Sequence, residues 1–84
     1  MKNKILIELI VPEIDSKYNV FIPVTKKVGE ILTLLNKSLV DITNGNFVST
    51  TKKWIYDGKT GEKYDLNVLV KNTNMRNGTS IILI

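Results

Sequence analysis

The stretch Ile5-Leu6-Ile7-Glu8-Leu9-Ile10-Val11, then Pro12-Glu13-Ile14-Asp15-Ser16-Lys17, then Tyr18-Asn19-Val20-Phe21-Ile22-Pro23 decides the fold. Ile5, Ile7, Leu9 and Val11 alternate with Leu6, Glu8 and Ile10, a period of two that sends successive side chains to opposite faces of a strand. Tyr18, Val20 and Ile22 alternate again and stop at Pro23, which cannot donate to a sheet ladder. The residues between the two runs supply turn chemistry. The stretch therefore reads as an N-terminal β-hairpin with one fully apolar face, and that face needs a cover.

The cover follows at once. Val28, Ile31, Leu32, Leu35 and Leu39 fall on one helical stripe, with Lys26, Lys27, Glu30, Thr33, Asn36 and Lys37 mostly on the other side. Thr25 is the candidate cap, Gly29 weakens the first turn by about 1 kcal/mol relative to Ala, and Asn44-Gly45 supplies the stop. This amphipathic helix of three to four turns cannot bury its stripe alone, so it must lie across one face of the sheet.

Beyond it, Asn46 to Thr51 reads as a polar connection anchored by Phe47 and Val48. Lys53-Trp54-Ile55-Tyr56-Asp57 reads as a short strand, Gly58-Lys59-Thr60-Gly61 as a turn, and Glu62 to Leu66 as a return strand. Asn67 to Asn74 fits a helical turn that buries Leu69 and Val70, and Asn77-Gly78 is a strong turn signal. The continuous apolar run Ile81-Ile82-Leu83-Ile84 implies a central final strand, covered on both faces or nearly so. It is expected to pair in parallel with the first strand through a right-handed crossover, giving the order 2-1-5-3. The reading is one α+β domain over residues 1–84: a mixed sheet of four to five strands with one helix across it.

Composition narrows the chemistry. The 84 residues contain no His and no Cys, which removes disulfides, thiol nucleophiles, Ser-His-Asp and Cys-His catalysis, and soft metal sites. Net charge is +4, but of the 12 cations Arg76 alone is Arg, the residue suited to bidentate reading of phosphates and bases. Ile and Asn are abundant and Ala is absent, as expected of a low-GC bacterial genome, so the basic balance follows composition more than a nucleic-acid partner. Lys2, Asn3 and Lys4 precede an apolar run too short to span a membrane and interrupted by Glu8, so neither a signal peptide nor membrane insertion is expected. The expectation is a cytoplasmic protein.

The hairpin Ile5–Ile22, the helix Val28–Leu39, the strand Trp54-Ile55-Tyr56 and the tail Met75-Arg76-Asn77-Gly78-Thr79-Ser80-Ile81-Ile82-Leu83 together resemble the β-grasp, or ubiquitin-like, fold over the whole chain. Within that fold the chain is most similar to the YukD/EsaB family of Gram-positive bacteria. The resemblance implies an accessory or regulatory, non-catalytic protein associated with type VII (WXG100, Ess) secretion, a system in which such a domain is also found fused to a membrane protein. Ubiquitin and the small sulfur carriers end in a flexible Gly-Gly carboxylate, and only Gly threads the narrow activating channel. With Ile84 as the natural terminus, conjugation and sulfur carriage are not expected, and the YukD/EsaB group likewise lacks the diglycine. A ubiquitin-like modifier processed from a longer precursor is one alternative.

Three candidate sites follow. The first is the sheet face away from the helix. With Ile5, Ile7, Leu9, Val20, Ile22, Trp54, Tyr56, Ile81 and Leu83 inward, Leu6, Ile10, Ile55, Ile82 and Ile84 point outward. Leu6, Ile82 and Ile55 then form one apolar row for a protein partner such as a secretion component, or for a second copy of the chain, with Lys4 and Lys53 as a steering rim. A one-residue shift would expose Trp54 and Tyr56 instead. The edge of the hairpin offers strand addition as another mode. The second candidate is the lysine set Lys2, Lys4, Lys26, Lys27, Lys52, Lys53 and Lys71. With Trp54 it would make a small nucleic-acid-binding domain, against the plainer reading that lysines solubilise strand edges. The third is the carboxylates Glu8, Glu13, Asp15, Glu30, Asp41, Asp57, Glu62 and Asp65, which match no Ca²⁺-loop spacing. Gly58-x-x-Gly61 is too short for a phosphate loop. No enzyme, cofactor or metal is expected.

Overall fold

The alternating apolar residues of the hairpin form two paired strands in the computed structural model, which describes residues 3–48 and 52–84. Strand β1 (Lys4–Val11) and strand β2 (Ser16–Pro23) are antiparallel and joined by a 3-10 turn over Pro12–Ile14. Asp15 leaves that turn in the left-handed region at φ 49°, a conformation Asp tolerates. Helix α1 (Val28–Ile42) follows, then β3 (Ile55–Asp57), a second 3-10 turn (Val70–Asn72) and β4 (Ser80–Leu83). The sheet order is β2-β1-β4-β3, with β1 and β4 parallel and β3 antiparallel to β4.

Helix α1 buries Val28, Ile31, Leu32, Leu35 and Leu39, the stripe read from the sequence. Its start differs from the sequence reading. Lys27, not Thr25, is the N-cap, and its backbone N–H donates to the Glu30 carboxylate at 3.1 Å. The next two N–H groups donate to the 66–68 loop, Val28 to Val68 O and Gly29 to Leu66 O, each at 2.9 Å. Tertiary carbonyls replace the side-chain cap that a free helix would need. Asn44 and Gly45, both at positive φ, end the helix as expected.

The core between helix and sheet holds Ile7, Leu9, Val11, Ile22, Ile55, Ile81 and Leu83 from the strands, with Phe47, Val70 and Met75 from the connections. Three sequence expectations are corrected here. Glu62–Leu66 forms no strand. It makes one bridge, Tyr56 to Lys63, with Asp57 N–H on Glu62 O at 2.8 Å and Tyr64 N–H on Ile55 O at 2.9 Å. The final strand is central but covered on one face only, since Ile82 is half-buried and Ile84 is 59% exposed. Strand β3 has the opposite phase: Ile55 is fully buried, while Trp54 and Tyr56 are half-buried on the open face. The cause is register: Ile55 lies opposite inward Leu83, and Tyr56 opposite outward Ile82. Of the connection Asn46–Thr51, Ser49–Thr51 lie outside the described residues. Among the described residues, no helix is long and apolar enough to cross a membrane.

Candidate protein-interaction surface

Directly opposed residues share a face of a sheet. The ladder therefore fixes the rows of the open face. One row runs Lys17, Ile10, Ile82, Tyr56 and Lys63, crossing every strand and the bridge beyond β3. It is apolar in the middle with a lysine at each end. Ile84 and Trp54 continue the apolar surface on one side, with Trp54 N–H bonded to Ile84 O at 2.9 Å. Tyr56, Gly61, Ile82 and Ile84 line a shallow hollow of about 410 Å³. The Lys63 and Lys52 ammonium groups lie 4.2 and 4.6 Å from the Trp54 ring centroid, within cation–π range.

The next row is polar. Asn19, Glu8 and Ser80 lie side by side, and the Ser80 hydroxyl donates to the Glu8 carboxylate at 2.8 Å. Beyond it, Leu6 (37% exposed) faces Phe21 (54% exposed), with Lys4 at the end of the same face. Leu6 N–H donates to the Asn77 side chain, and Gly78 N–H to Leu6 O, both at 2.8 Å. That arrangement brings the Asn77-Gly78 turn, with Gly78 at φ 88°, against β1.

The expected row Leu6–Ile82–Ile55 is therefore not formed. Leu6 and Ile82 both face outward, but Glu8 and Ser80 separate them. Ile55 is core, and its place beside Ile82 belongs to Tyr56. Lys4 is exposed as expected. Lys53 is not a rim residue: its side chain is 3% exposed, and its ammonium lies 2.8 Å from Glu13 Oε1 and donates to Val48 O at 3.0 Å. It shares the inward parity of Ile55. Glu13, from the hairpin turn, also accepts Val48 N–H at 2.8 Å. Lys53, then Val48, hold the Glu13 carboxyl below its ordinary pKa. Of the wider lysine set, Lys26, Lys27, Lys52 and Lys71 are exposed, and Lys2 lies outside the described residues.

Asp57, the inward charge at the end of β3, accepts Asn74 Nδ2 at 2.9 Å and Lys59 N–H at 2.8 Å. Those bonds, Asn74 first, hold its pKa low. Tyr64 donates to the Asn74 side-chain oxygen at 2.7 Å. Burial first, then the Asp57 charge, pushes its hydroxyl up to about 12. This relay joins the 57–64 turn to the 72–74 loop. Among the described residues, no group of three or more Asp or Glu is placed to hold a metal ion.

No protein-family model matches the chain, and no curated protein matches it in sequence. Solved structures do. The chain is similar to a component of the MycP5-free ESX-5 inner membrane complex, at 10% identity and TM-score 0.73, covering 98% of this chain and 21% of that one. It is similar to a ubiquitin-like protein from Trypanosoma brucei, at 9% identity and TM-score 0.71, covering 100% and 96%. It is also similar to the EccD5 ubiquitin-like domain from Mycobacterium xenopi, at 10% identity and TM-score 0.70, covering 96% and 92%. The fold is thus β-grasp, ubiquitin-like.

Proposed function

We propose that this domain is a non-catalytic, ubiquitin-like protein-interaction module that serves a bacterial type VII secretion system in the cytoplasm, as an accessory or regulatory component of the YukD/EsaB kind. The observation that carries the binding role is the uncovered row Ile10–Ile82–Tyr56, bounded by Lys17 and Lys63. Soluble domains rarely expose contiguous apolar surface without use, and an apolar centre with a charged rim is the usual anatomy of a transient interface. The lysines steer an acidic partner surface toward it. The pathway is supported by the two structural neighbours from ESX-5 and EccD5 and by the resemblance of the sequence. The reading without catalysis is supported by a chain with no His and no Cys.

The test is affinity capture from the encoding bacterium with two baits, wild type and Ile10→Asp/Ile82→Asp, each confirmed folded by circular dichroism. A secretion-system component is expected on the wild type and lost from the variant. Retention of the same component by both baits overturns the surface. Recovery of nucleic acid alone, released by salt, overturns the protein-binding role.

A further inference from the structure

Strand β2 is the free edge of the sheet, and its ladder shows which groups are free. Val24 N–H bonds Asn3 O at 2.8 Å, one step beyond the Lys4–Pro23 pair. In antiparallel pairing, bonded and non-bonded pairs alternate. Ile5–Ile22, Ile7–Val20 and Leu9–Tyr18 therefore exchange the ladder bonds, and Lys17, Asn19 and Phe21 direct their N–H and C=O groups away from β1. Among the described residues, none of these six backbone groups has a partner. Natural edges are usually blunted by charge, proline or a bulge. Between Lys17 and Pro23 this edge carries Tyr18-Asn19-Val20-Phe21-Ile22, without any of these.

We propose that β2 is a self-association edge: a second copy of this chain adds its own β2 antiparallel to it, with Asn19 facing Asn19 across a two-fold axis. In that register Lys17 stands opposite the partner's Phe21, and Phe21 opposite the partner's Lys17. The exposed ring gains an ammonium group over its face. On the helix side Tyr18 meets the partner's Val20, and both are only half-buried in the single chain. The register is bounded on both sides. A two-residue shift one way sets Pro23, which has no N–H, against Lys17. The opposite shift runs into the left-handed turn at Asp15. Each copy answers its own edge, as an isologous contact requires. The sheet becomes eight-stranded, with both Ile10–Ile82–Tyr56 rows on one side. This inference does not rest on the partner proposed above: β2 self-association uses the backbone of the sheet edge and open-face docking the row Ile10–Ile82–Tyr56, with Lys17 alone common to both.

An edge contact of this size belongs to the weak class of interface. The test is sedimentation equilibrium of the whole chain from about 10 µM to about 1 mM, with amide exchange read by NMR at both ends of the range. The mass is expected to double from 9.5 kDa, while exchange at Lys17, Asn19 and Phe21 slows about tenfold. Phe21→Lys sets like charges together, and Asn19→Pro removes an N–H that β1 does not use. Both are expected to stay monomeric with unchanged circular dichroism. A wild type monomeric throughout, a dimer that persists in Phe21→Lys, or a dimer whose three amides stay unprotected overturns the proposal.

Discussion

Lys53 is a formal charge with a 3% exposed side chain, next to the fully buried Ile55. It is tolerated because Glu13 reaches it from the hairpin turn and Val48 O takes a second bond. Such a pair adds little net stability over a well-packed apolar pair, yet removing one partner is destabilising, because the other stays buried and unanswered. Glu13 is itself a third exposed, which lets water answer part of the loss. Glu13→Gln is therefore expected to cost about 1–3 kcal/mol at pH 7, read as a lower urea midpoint. The pH dependence follows from the lowered Glu13 pKa. The folded state holds the carboxylate more tightly than the unfolded chain, whose value is near 4.5. Its contribution is thus complete above that value and lost as pH falls through the lowered one. The gap between wild type and variant should therefore close as pH falls through that lowered value. A gap that stays constant across this range would mean that the charge of Glu13 is not its source.

Strand β3 is the element where reading the sequence failed, and the failure has a physical form. Strand β1 was legible because eight residues alternate between apolar and mixed positions, so its phase is unambiguous. Helix α1 was legible because its five-residue stripe repeats through four turns. Strand β3 has three residues, and Trp54, Ile55 and Tyr56 are all apolar, so alternation carries no phase. The flanking charges then mislead. Lys53 and Asp57 share the parity of Ile55 and look like a solvent face. The groups that answer them, Glu13 and Asn74, lie 40 and 17 residues away and leave no local signal. The same slip broke the candidate site: the sequence places Leu6, Ile10, Ile82 and Lys4 outward, whereas Tyr56, Lys17 and Lys63 join Ile10 and Ile82 in one row only through the register. Gly58, next in chain, is required by closeness, since a Cβ there would stand 2.9 Å from Ser80 O. The phase has a direct check. Ile55→Ala is expected to cost about 2–5 kcal/mol through the cavity it leaves, and Tyr56→Ala about 1 kcal/mol or less, by urea unfolding. If Tyr56→Ala proves the costlier change, the face assignment is reversed.

At the scale of the whole molecule, the last strand holds the sheet together. Strand β4 lies between β1 and β3, and its parallel pairing joins Glu8 to Ser80 across nearly the full chain. In the ladder, β3 pairs with β4 alone among the strands. Ile81 and Leu83 are fully buried in the same core as Ile7, Leu9 and Ile55, and in the ladder they stand beside Leu9 and Ile55. Each of the two is worth about 1.5–3 kcal/mol by burial alone. A domain of this length has a total stability of about 4–13 kcal/mol. Removing residues 81–84 deletes both side chains, the ladder bonds to β1 and β3, and their packing in the shared core. The loss therefore matches or exceeds the whole stability, and the domain should unfold as a unit rather than fray at one edge. The measurement is Trp54 fluorescence against urea: a sigmoidal transition for the full chain and a featureless slope for the truncated one. A transition retained after truncation would show that the second half of the chain still docks without β4, because Trp54 lies beyond the hairpin and the helix and reports on that docking. The same coupling bears on function. The row Ile10–Ile82–Tyr56 draws one residue from each of three strands that meet only through β4, so the surface exists only when the sheet is closed.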